Sequence, residues 1–122
     1  MAKKSILKKI GFNEIQTNHL GYDLAPSLSA TGNNSQADAI QLKAEINQFT
    51  TVGATTNSSK LPDLRTWATG YCLVRNDGAN NLNQFPFLGQ SINALAANAA
   101  VVIPPGEARI FEQIANLQWV MR

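Results

Sequence analysis

After Gly70 the sequence breaks into five short apolar-patterned runs, and that rhythm leaves few folds open. Residues 71–75, 82–88, 99–103, 108–113 and 118–121 are each bounded by turn-forming residues: Asp77-Gly78, Leu88-Gly89 and Pro104-Pro105-Gly106. Short runs at such spacing, punctuated in this way, predict strands of an all-β domain. The expectation is an antiparallel β-sandwich, jelly-roll-like, or a small β-barrel. Pro105 presets the first central position of a type II turn and Gly106 supplies the positive φ that the second requires. Asp77-Gly78 reads as a hairpin turn between the first two runs.

Upstream, AIQLKAEINQF alternates cleanly. Ile40, Leu42, Ala44 and Ile46 fall on one side, and Gln41, Lys43, Glu45 and Asn47 on the other. That period of two favours one half-buried strand over a helix, although the residue types tolerate both. Before residue 39 the text QTNHLGYDLAPSLSATGNNSQAD keeps no period and is rich in Gly, Pro, Ser and Asn. It reads as an irregular extended arm. The expected organisation is an arm over residues 1–38 and a single β domain over 39–122. No repeat of fixed period is visible.

Charge divides the chain in the same way. Four lysines stand within residues 1–9, while the remainder holds six basic and eight acidic residues. A net charge of +2 is too small to argue for nucleic acid, and no apolar run is long enough for a membrane span. The segment KKSILKKIGF could form about two turns of amphipathic helix, with Ile6, Leu7 and Ile10 on one side. Too short to be stable alone, it needs a partner surface. The segment reads as a solvated terminus, as a tether to a protein partner, or as a weak, salt-sensitive contact with an anionic surface; on the tether reading Lys3, Lys4, Ile6, Leu7, Lys8, Lys9 and Ile10 are the candidate partner-contact residues. The polar share of the chain is otherwise uncharged: 13 Asn and 8 Gln against 15% charged residues.

Chemistry-bearing motifs are few. His19 is the lone histidine, without a second ligand or a triad pattern beside it. Cys72 is the lone cysteine, so neither a disulfide nor a cysteine zinc site can form within the chain. It stands in the apolar strand pattern YCLVR, which suits a packed small hydrophobe rather than a nucleophile. NDGANN invites a calcium-loop reading, but Gly78 comes too early and no glutamate follows at the needed distance. Phosphate-binding glycine motifs are absent. The aromatic residues Trp67, Phe85, Phe87 and Trp119 are not interleaved with cations as single-strand binders require. Phe85 and Phe87, two apart around Pro86, suit a core face at an edge or bulge. The expectation is no catalytic, cofactor or metal site, and hence no enzyme. A small hydrolase would need two of the scattered carboxylates to meet in space.

The stretch YCLVRNDGANNLNQFPFLGQSINALAANAAVVIPPGEARIFEQIANLQW resembles a short β-rich module of bacteriophage structural proteins. The resemblance rests on Val74, Asn76, Asp77, Gly78 and Ala79 at one turn, Phe85 and Pro86 in the next strand, and Gly89, Ser91, Ile92, Asn93, Leu95, Asn98 and Ala99 at a second turn. Pro105, Gly106, Gln118 and Trp119 complete it. Residues 1–69 carry no such likeness. What the resemblance implies is a virion component without catalysis. The first expectation is a capsid decoration (cement) protein on the shell exterior, often trimeric, stabilising contacts between major capsid subunits. The second is a tail or fibre adaptor that recognises a host glycan or another virion protein, with Trp67 or Trp119 stacking on sugars.

Overall fold

The computed structural model describes residues 22–122, and among them every regular element is a strand. In chain order these are β1 Leu24–Ser29, β2 Ile40–Gln41, β3 Ile46–Thr51, β4 Ser58–Lys60 and β5 Tyr71–Asn76. β6 Leu82–Phe85, β7 Ser91–Ile92, β8 Val101–Ile103, β9 Glu107–Ala115 and β10 Gln118–Met121 follow. The all-β expectation holds. The antiparallel one does not, because both sheets are mixed.

A six-stranded sheet runs β1-β3-β5-β9-β10-β7 and a four-stranded sheet runs β2-β4-β6-β8. From β1 to β9 the chain changes sheet at every connection. β1, β3 and β5 therefore stack in parallel in one wall, and β2, β4 and β6 in the other. The architecture is solenoid-like: each turn of the chain lays one strand on each wall. β8 and β9 then run antiparallel to β6 and β5, and β10 folds back on β9. The coils are unequal. Leu24 stands opposite Ile46 and Ile46 opposite Leu73, the second step being the longer. A repeat in space with unequal lengths in sequence leaves no fixed period to detect.

The walls enclose one apolar cluster. Phe49, Val74, Phe111 and Trp119 enter it from the six-stranded wall, and Leu82 and Ile103 from the other, all fully buried. Each such side chain stabilises the fold by roughly 2–3 kcal/mol on burial. A second row, Leu24–Ile46–Leu73–Ile110, crosses four neighbouring strands on the other face of the same sheet. Tyr22 stacks on Tyr71 beside that row, with ring centroids 4.9 Å apart. Burial first, then the neighbouring Tyr22 and Glu112, pushes the Tyr71 hydroxyl up to about 12.

Three sequence expectations change here. The strand expected over 39–49 is two strands in different walls, with 42–45 bending between them. Its burial alternation survives the bend through Leu42, Ala44 and Ile46, and then fails at Asn47, which is fully buried. Asn47 is tolerated because its amide donates to Ala44 O at 2.8 Å and Leu73 O at 3.1 Å. Next, the arm boundary at 38 falls within the coil. β1 pairs in parallel with β3, and Ala30 belongs to the main cluster. Pro26 and Ser27 (φ 60°) break the period of two there, and the register of β1 shifts across them, between Ala25 and Leu28, and again between Leu28 and Ser29. Such breaks suit an edge strand, since they blunt pairing with other chains. Finally, Asp77-Gly78 is no hairpin: β5 and β6 lie in different sheets, and the turn is a corner between walls. Pro104–Glu107 is likewise a corner, with Gly106 at φ 81° and Glu107 N–H donating to Pro104 O at 3.2 Å, as a type II turn requires.

Candidate functional site

Two regions at strand ends carry the polar side chains of interest: the corner after β5, and a groove beside the strand ends of β2 and β6. At the corner, nearly every polar group is committed to backbone. Asn76, fully buried, donates to Asn80 O and Ile103 O, both at 2.8 Å, and its Oδ1 accepts from Gly78 N–H at 2.9 Å. Asn80 donates to Val52 O at 2.8 Å and Asn83 to Thr55 O at 2.9 Å, which ties this corner to the one in the coil below. Asp77 receives Arg75 Nε at 2.9 Å and Gln48 Nε2 at 2.8 Å. Gly78 is required by proximity. A Cβ there would stand 2.5 Å from Val52 N and 2.8 Å from the Val52 side chain. Among the described residues, no three His, Cys, Asp or Glu side chains gather as a metal site would need.

The groove differs in kind. Its volume is about 270 Å³, and its walls come from three connections: Lys43 after β2, Pro62, Asp63, Thr66 and Trp67 after β4, and Phe87 after β6. Trp67 is half-buried against the main cluster, and its indole N–H donates to Tyr71 O at 2.9 Å, which fixes the ring. Phe87 carries two cations near its ring: Lys60 Nζ lies 5.7 Å and Arg65 Cζ 5.8 Å from its centroid. Asp63 is oriented by Arg65 (Nε to Oδ1, 3.0 Å) and by Gln90, a buried amide that donates to Oδ1 at 2.7 Å. The Arg65 guanidinium, with Gln90, holds the Asp63 carboxyl below the usual carboxylate range.

The described cations divide by residue type. Arg65, Arg75, Arg109 and Arg122 each form a salt bridge, to Asp63, Asp77, Glu107 and Glu112 respectively. Lys43 and Lys60 form none with another described residue. One lines the groove and the other sits at its Phe87 wall.

Of the residues singled out in the sequence, Lys3, Lys4, Ile6, Leu7, Lys8, Lys9, Ile10 and His19 lie outside the described residues. Cys72 is fully buried beside Asn47 Nδ2 (3.3 Å), and burial pushes its thiol up. Trp119 is also fully buried, so the expectation that it could stack on a sugar is corrected: its ring belongs to the core. Phe85 is a core residue while Phe87, two positions on, leaves the strand and walls the groove. Lys43, Lys60, Asp63 and Arg65 were not marked by any motif. Their grouping depends on three connections meeting at one end of the four-stranded wall. No protein-family model, curated protein or solved structure matches the chain.

Proposed function

We propose that this protein is a structural component of a phage virion. It binds the exterior of the capsid as a decoration protein, assembled as a homotrimer, and stabilises contacts between major capsid subunits without performing catalysis. The observation that carries this reading is the fate of the residues behind the resemblance. Asn76, Gly78, Asn93, Asn98 and Gly106 all shape corners. Asn76 ties two backbone segments, Asn93 accepts Met121 N–H at 2.7 Å, and Asn98 accepts Gly89 N–H at 2.7 Å. A polar pattern devoted to its own backbone suits a rigid part. In this reading the two walls form a β-sandwich wound as a coil, and its stiffness presents contacts without an ordering cost at binding.

Decoration would act by mass action: contacts available only on the assembled shell favour assembly, and trimerisation multiplies weak contacts through effective concentration. Lys3, Lys4, Ile6, Leu7, Lys8, Lys9 and Ile10 are the proposed capsid contacts. Quantitative mass spectrometry of purified virions tests the reading. A copy number commensurate with the shell subunits is expected, whereas the count of a tail tip or a portal ring would replace decoration with the tail or fibre reading. Deleting residues 1–12 should abolish capsid binding while leaving the β body folded. Retained binding would remove those residues from the interface.

A further inference from the structure

We propose that the groove between Trp67 and Phe87 is a binding site for an acidic saccharide, a pyranose ring that carries a carboxylate. Three features of its walls point to that ligand class. Trp67 offers a partly exposed indole whose orientation is fixed by its bond to Tyr71 O and by core packing. An immobilised aromatic face suits the C–H face of a pyranose, because no side-chain entropy is lost on stacking. Lys43 and Lys60 supply positive charge that no described carboxylate neutralises, while every described arginine is paired. Asp63 and Thr66 add oxygens on the same walls.

The combination is what narrows the ligand. Cations without a partner among the described residues would by themselves suit any anion, phosphate included. Asp63 Oδ2 adds an acceptor beside them, so a ligand with hydroxyl donors finds a partner there that a fully ionised phosphate does not use. Asp63 Oδ1 is saturated by Gln90 and Arg65, whereas Oδ2 is bonded only within the Arg65 pair. An acidic sugar meets all three demands with an apolar face, hydroxyl donors and one negative group. An acidic peptide would satisfy the lysines but offer no comparable set of hydroxyls to Asp63 and Thr66.

The test uses the full chain, a galacturonate trimer and the uncharged galactose trimer, followed by NMR of the two indole N–H signals. The acidic trimer should shift the Trp67 signal and leave that of Trp119, which is buried in the core, in place. The uncharged trimer should bind at least about 5-fold more weakly. Trp67→Ala should weaken binding by about 10-fold or more. Because Trp67 also packs on the core, a second variant, Lys43→Gln with Lys60→Gln, keeps the test independent of folding. It should lose about 5-fold in affinity and most of the salt dependence. Absence of binding at millimolar trimer, equal binding of the two trimers, or an unchanged double variant would each overturn the site, as would a glutamate-rich peptide binding as tightly as the acidic trimer. The virion copy number does not depend on any of these outcomes, so the groove and the decoration reading fail separately.

Discussion

The corner at 76–83 and the groove at 62–67 and 87 are both polar connections at strand ends, yet they spend their polar groups in opposite ways. At the corner, Asn76, Asn80 and Asn83 give their amides to carbonyls of neighbouring segments, and Asp77 is held by Arg75 and Gln48. At the groove, Lys43 and Lys60 have no carboxylate partner among the described residues, and one face of an aromatic residue stays partly open. Polar density therefore says little about binding. What separates a structural corner from a ligand site is how much hydrogen-bonding and charge capacity the fold has left unused.

That contrast yields three expectations, beginning with the largest. Gly78→Ala should destabilise the protein by about 3 kcal/mol, since the new Cβ must displace Val52 backbone, which cannot yield as a flexible side chain would. Urea unfolding would read the loss as a lower midpoint at constant slope. A neutral result would mean that the corners do not stack tightly, and the comparison would lose its structural half. Asn76→Ala should cost about 2 kcal/mol, because Ile103 O, Asn80 O and Gly78 N–H would lose their common partner in a buried site. Amide hydrogen exchange should then quicken at Gly78 relative to the β5–β9 pairs. Lys43→Gln and Lys60→Gln should each change stability by no more than about 0.5 kcal/mol. A large stability loss in either lysine variant would show that the groove's charges serve the fold, as the corner's do, and would erase the distinction.

The two regions also differ in how far they could be read from the sequence. The corner was legible as a turn, because Asp77-Gly78 between apolar runs breaks extended structure whatever follows. Its kind was not: a hairpin and a corner between sheets share local signals and differ only in which strands β5 and β6 find as partners. β1 was hidden for a related reason. Pro26 and the positive φ of Ser27 erase its alternation, and only its parallel register with β3 makes it a strand. The groove left still less trace. Trp67 stood out as a candidate stacking residue, while Trp119, its equal in the sequence, proved to be core. Trp119 stood in an expected strand and Trp67 outside one, but which of them faces the core depends on the packing of distant strands.

By itself the sequence determined the class of the fold and the place of most of its strands. Period-two alternation and turn residues act over a few positions, so they are encoded where they operate. It also determined the character of Cys72, whose apolar strand context foretold burial. The tertiary structure decided the rest: the crossing of the chain from wall to wall, the parallel stacking of β1, β3 and β5, and the meeting of Lys43, Lys60, Asp63, Trp67 and Phe87 at one groove. Those features come from contacts between segments far apart in the chain. Their energies depend on which surfaces meet, and no local pattern records that.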